Sequence, residues 1–171
     1  MELTFSANAL RADVFKRVET YLTDNGFKID KQDSSRPWGG FFVLDESQAD
    51  IFIKKYFSHL HKEDLLISDK LSPKILIVEP NKRLSWQYHY RRAEIWKLIA
   101  GEAGVITSYD DFEKDKTILK IGDIIQLKQG QRHRLIGTDQ WGIVAEIWQH
   151  TNQEAPSDEE DIVRVQDDFG R

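Results

Sequence analysis

Four residues carry the chemistry that this sequence suggests. Gln87 and His89 stand two apart in an apolar, aromatic stretch that reads as a β-strand. Side chains alternate across a strand, so both point to one face. Glu94 follows five residues later across a short turn, and His133 comes after a Gly-containing turn much further on. A neutral amide oxygen, two imidazoles and a carboxylate suit a borderline divalent ion: Zn²⁺, Mn²⁺, Co²⁺ or Fe²⁺. A lone strand histidine is more often packing or surface, so the spacing of the four carries the inference.

The elements that must position these residues change character along the chain. Leu10, Val14, Phe15, Val18, Tyr21 and Leu22 recur at helical spacing, with Ser6 as the expected N-cap and Asp24-Asn25-Gly26 as the stop. A second helix is expected from about Ser47 to Leu60. The turn-rich Arg36-Pro37-Trp38-Gly39-Gly40 lies between them and leads into Phe41 to Leu44. From Lys74 the pattern becomes short strands: 74–79, 84–90, 94–99, 104–109, 117–121, 124–128, 133–136 and 142–148. Their spacing and turn residues predict a sandwich or barrel. One domain is expected over 1–171, with a helical extension (1–70), a barrel core (71–150) and a tail (151–171). His59 and His61 also show His-x-His spacing, but on an expected helix residues two apart diverge, so no metal site is read there.

Composition bounds the alternatives. A chain of 171 residues suits one core, and a net charge of −5 argues against a basic nucleic-acid surface. Cysteine is absent, so thiolate ligands and disulfides are excluded. No signal peptide and no membrane-length apolar run is visible, and a cytoplasmic location is expected.

The spacing resembles the two cupin motifs over roughly residues 73–150. The first reads Asn81, five residues, Gln87-Tyr88-His89, four residues, Glu94, six residues, Gly101. Asn81 replaces the usual Gly and tolerates the same left-handed backbone. The second reads Gly122, five residues, Lys128-Gln129-Gly130, two residues, His133, three residues, Gly137. Lys128 replaces Pro, and Gly137 replaces Asn. The implied fold is mainly β: a cupin double-stranded β-barrel (jelly roll) with N-terminal helices.

A narrower resemblance is to the type II phosphomannose isomerases. It rests on Leu84-Ser85-Trp86-Gln87-Tyr88-His89, Arg92-Ala93-Glu94-Ile95-Trp96, His133-Arg134, Arg36-Pro37-Trp38-Gly39, and the closing Asp161-Ile162-Val163-Arg164 and Asp168-Phe169-Gly170-Arg171. The resemblance covers only the isomerase module, without the nucleotide-binding domain that many members carry upstream. Ile95, Tyr90 and Arg91 depart from the histidines common in that family.

The resemblance implies metal on Gln87, His89, Glu94 and His133, zinc ahead of manganese, cobalt or iron. It also implies interconversion of mannose 6-phosphate and fructose 6-phosphate through a cis-enediol. Arg92 is then the candidate for stabilising developing negative charge, and Glu146 the candidate base. Arg36, Lys74, Arg134 and Arg164 are candidate phosphate anchors. Plainer roles stay open: Arg92 balancing Glu94, the other cations in tail-fastening ion pairs, Glu146 orienting a ligand histidine. The expected partner is a phosphorylated sugar, with no nucleic acid and no membrane, and a homodimer is left open. Rival functions are a non-catalytic sugar-phosphate-binding cupin, an isomerase of another phosphosugar such as a heptose phosphate, a metal-dependent oxygenase (disfavoured by Gln87 in place of a third histidine) and a metal-free epimerase.

Overall fold

A computed structural model describes residues 3–171. Helix α1 (Arg11–Asp24) is followed by strands β1 (Ile29–Arg36) and β2 (Gly39–Leu44), a 3-10 turn, and helices α2 (Ala49–Tyr56) and α3 (Lys62–Leu65). Then come β3 (Leu71–Val78), β4 (Trp86–Tyr88), β5 (Arg92–Ser108), β6 (Thr117–Leu119), β7 (Ile124–Leu127), β8 (Arg132–His150) and β9 (Val163–Gln166).

All strand pairings are antiparallel, and β5 and β8 run through both halves of the barrel. The C-terminal half of β8 pairs with β3 and with the first half of β5, so one layer runs β1-β2-β3-β8-β5-β7. The N-terminal half of β8 pairs with β4 and the second half of β5, so the other layer runs β9-β4-β8-β5-β6. The corner where both long strands turn lies near Gly101, Gly137 and Gly142. A Cβ at Gly137 would sit 2.1 Å from the Glu79 carbonyl oxygen, so the chain can pass there only without a side chain. That accounts for glycine where the motif has Asn. Asn81 takes φ 58°, the left-handed conformation anticipated from its place in the motif.

The period of two sorts side chains onto two cores. Outward-facing Ile75 and Ile77 of β3, Ile143, Ala145 and Ile147 of β8 and Ile95 of β5 pack with Val14, Phe15, Val18 and Leu22 of α1 and Phe52, Ile53 and Tyr56 of α2. Inward-facing Leu76, Val78, Trp96, Leu98, Leu135 and Val144 fill the barrel together with Trp38 and Phe41. By the same alternation Lys74, Glu94, Glu146 and Trp148 face the interior.

Several expectations are revised. Residues 29–44 form a hairpin that extends the β3 layer rather than part of a helical region; β1 is mostly exposed, so its sequence lacks apolar alternation. Helix α1 begins after Leu10, which makes no side-chain cap, and Ser6 lies outside it. The stop at Asn25-Gly26 is as expected, with Gly26 at φ 81°. Helix α2 ends at Tyr56, so His59 lies in a turn beyond it. The expected pairs 94–99 with 104–109 and 133–136 with 142–148 are each one continuous strand. The tail contributes β9, which pairs with β4 across the barrel mouth. No helix among the described residues is long and apolar enough to cross a membrane.

Candidate metal centre

β4, β5 and β8 bring His89, Glu94 and His133 together. Gln87 sits opposite His133 in the β4–β8 register. All four are buried, with His89, Glu94 and His133 each 2% exposed. His89 Nδ1 donates to the Asp161 carbonyl at 2.6 Å, and His133 Nδ1 to the Gln131 carbonyl at 2.9 Å. These bonds fix the tautomer in which both Nε2 atoms are bare acceptors. The two Nε2 atoms face each other at 3.3 Å, and Glu94 presents Oε1 and Oε2 at 3.2 Å and 3.4 Å from them.

Acceptors gathered this closely suit a cation between them. A tetrahedral centre with arms of about 2.0–2.1 Å has edges of about 3.3–3.4 Å; the two Nε2 atoms stand at that spacing, and one ligand atom from each of the three residues lies within 4.8 Å of the others. The residues therefore fit a divalent ion, which His89, Glu94 and His133 could hold. Gln87, paired with His133 across β4 and β8, accepts at Oε1 from Ser85 Oγ at 2.5 Å and keeps a second lone pair.

Electrostatics match that use. Burial, together with Arg92 and His133 and against the pull of Glu94, lowers His89 to about 3. Burial also lowers His133. Both imidazoles are thus neutral at pH 7. Burial pushes the Glu94 carboxyl up, but the facing His89, Arg92 and His133 outweigh it and keep the group ionised. With the imidazoles neutral, Arg92 supplies the lasting charge: its Nε donates to Glu94 Oε1 at 2.7 Å and its Nη2 reaches His89 Nε2 at 3.1 Å.

A cavity of about 180 Å³ opens beside this cluster, lined among others by Gln87, Glu94, Arg92, Glu146, Lys74 and Arg164. Glu146 is 3% exposed. Burial, with the Glu94 charge beside it, raises its carboxyl to about 8 against the opposing Lys74, Arg92 and Trp96. Lys74 is opposite Glu146 in the β3–β8 register, stands 3.8 Å over the Trp148 ring, and pairs with Glu159 of the tail at 2.5 Å. Arg36 also lines the cavity and pairs with Asp33 at 2.8 Å.

Arg164 differs from the other cations. It lies opposite Gln87 in the β4–β9 register, its Nε is buried without a partner, and no protein acceptor meets its guanidinium among the described residues. Arg134 is placed elsewhere. It is 0% exposed, bonded to Glu113 and Gln166, and absent from the cavity lining. Sequence alone gave these two arginines the same weight; burial and pairing separate them.

Other contributors had no role read for them in the sequence, although Asp161 and Trp96 stand in its motifs. The Asp161 carboxylate accepts from Tyr90 N and Arg91 N, each at 2.9 Å, and from Ser157 Oγ at 2.6 Å, which ties the tail to the turn after β4. Trp148 stacks under Arg92 at 3.7 Å. The Trp96 indole N–H lies 3.1 Å from Glu94 Oε2 and 2.9 Å from Glu146 Oε1.

A two-layer antiparallel barrel with helices on one outer face and a His-His-Glu cluster inside defines a cupin. Solved structures agree on the fold: vicilin from tomato (Solanum lycopersicum) matches with TM-score 0.54 and 19% identity over 81% of this chain and 35% of that one. An oxalate decarboxylase variant from Bacillus subtilis matches with TM-score 0.54 and 13% identity over 84% of this chain and 31% of that one. Within the cupins, the chain belongs to the mannose-6-phosphate isomerase C-terminal family, whose model matches residues 53–167. A mannose-1-phosphate guanylyltransferase from Salmonella montevideo is 26% identical over 93% of this chain, which spans 28% of that protein's length.

Proposed function

We propose that this chain is a metal-dependent aldose–ketose isomerase interconverting mannose 6-phosphate and fructose 6-phosphate. The observation that carries the reading is the cavity itself, where Glu146, Glu94 and the unpartnered Arg164 line one space. A bound divalent metal would supply Lewis-acid polarisation of the sugar oxygens. Gln87, His89, Glu94 and His133 would hold it. Glu146, in its ionised form, takes the C2 proton and returns it to C1 of the enediol while the O2 hydroxyl proton passes to O1, so that aldose becomes ketose and the carboxylate is unchanged overall. Arg92 offsets the negative charge that develops on the enediol oxygens. Arg164 and Lys74 anchor the phosphate, Arg164 without first surrendering a protein carboxylate. Arg36 sits at the same wall as a further cation.

A second reading is favoured by the engagement of Arg92 with His89 and Glu94. In it the chain binds a phosphosugar, mannose 6-phosphate or a heptose phosphate, without turning it over.

A coupled assay of mannose 6-phosphate conversion with added Zn²⁺, Mn²⁺ or Co²⁺ tests the proposal. Turnover that needs metal and disappears in His89→Ala and His133→Ala is expected. Arg164→Met should raise KM about 10- to 100-fold, the worth of one or two charge-assisted hydrogen bonds. No turnover by metal-loaded protein that still binds the sugar phosphate would leave the second reading.

A further inference from the structure

Trp96 touches three members of the site and has no role in the chemistry above. It is 1% exposed, and its ring meets that of His133 edge-on, with centroids 5.4 Å apart and planes at 89°. Its single N–H is shared between Glu94 Oε2 and Glu146 Oε1. Glu94 and Glu146 face inward from adjacent strands, and two buried carboxyl groups this close repel whenever both ionise. An indole nitrogen is a donor only: it cannot ligate a metal, accept a proton or exchange roles with either carboxylate. The other Glu94 oxygen is held by Arg92, so Trp96 completes the fixing of that carboxylate in its plane.

We infer that Trp96 is a positioning residue, a shared donor that sets the orientation of the ligand carboxylate Glu94 and of the base carboxyl Glu146 at once. The inference rests on the roles given above to Glu94 and Glu146. It goes further in making the two groups respond to each other through one proton of a third residue.

The test is the indole N–H resonance of Trp96 in ¹⁵N-labelled protein, assigned through its contact with the His133 ring. In metal-free protein this peak should move in both Glu94→Gln and Glu146→Gln. It should move again when Zn²⁺ alone is titrated into the wild type. The Trp96→Phe variant, which keeps a buried ring and loses the donor, should bind Zn²⁺ about 10-fold more weakly. Trp141→Phe is the control, since the Trp141 N–H is buried without a partner and should leave the affinity unchanged. A Trp96 peak that ignores either carboxyl substitution overturns the inference, as does a folded Trp96→Phe variant with wild-type Zn²⁺ affinity. Should that variant not fold, the wild-type and Gln-variant spectra decide alone. Absence of Zn²⁺ binding to the wild type would instead sink the metal reading, and the two Gln variants would still decide whether the donor is shared.

Discussion

Replacing Glu146 with Gln should stabilise the protein at alkaline pH and leave it unchanged in acid. Glu146 binds its proton more tightly folded than unfolded, since its carboxyl rises from 4.5 to about 8 on burial beside Glu94. A raised folded value means the fold is favoured fully below pH 4.5 and loses that advantage as pH climbs to about 8. The whole rise is worth at most roughly 5 kcal/mol. Gln is nearly isosteric and keeps an oxygen for the Trp96 N–H, so the variant sheds the ionisation penalty and little else. Urea unfolding of both proteins at several pH values, compared at equal m, would read the difference directly. The curves should coincide near pH 4 and separate by about 3–5 kcal/mol above pH 8.5, with the variant more stable. Parallel stability curves across that range would show that Glu146 is not a buried carboxyl held neutral, and would remove the physical basis for its role as a base poised near neutrality.

Two further substitutions test how the site is held. Asp161→Ala strands the donors of Tyr90, Arg91 and Ser157 and should cost about 3 kcal/mol in urea unfolding at pH 7. Burial opposes ionisation of Asp161 but these hydrogen bonds and Arg92 outweigh it, so the carboxyl is depressed below 3.8 when folded. Its contribution is therefore present above that value and lost as pH falls, and the gap between wild type and variant should narrow in acid. Gly137→Ala drives a Cβ onto the Glu79 carbonyl and should cost about 1–3 kcal/mol in the same measurement; the matching change at Gly130 meets no atom but holds an L-residue at φ 75° and should cost about 1–2 kcal/mol from the backbone alone.

The clustering of His89, Glu94 and His133 was legible because strand geometry is simple: alternation aims nearby residues at one face, the turn residues Asn81, Gly122 and Gly130 punctuate the strands they separate, and Gly101 marks the bend inside β5. All four of those residues take positive φ. The β1–β2 hairpin was hidden because β1, Ile-Asp-Lys-Gln-Asp-Ser-Ser-Arg, is an exposed edge with no apolar face to betray it. β5 and β8 each read as two strands because glycines at the barrel corner look like turns; the two strands stay paired with each other on either side of the register shift there. The tail's hold on His89 was invisible for a different reason. Its contribution to His89 is a main-chain carbonyl, and no residue type announces where a carbonyl will point. The separate fates of Arg134 and Arg164 depend on partners distant in sequence, Glu113 for one and none for the other.

That main-chain carbonyl has an evolutionary consequence. Both imidazoles are oriented by backbone oxygens, at Asp161 and Gln131, rather than by side chains. No single substitution at those positions deletes the acceptor. The residues around the centre can therefore drift widely, provided the chain keeps its path, while the lone pairs stay aimed at one point. A search for the carboxylates that commonly orient histidine ligands would pass over such a centre.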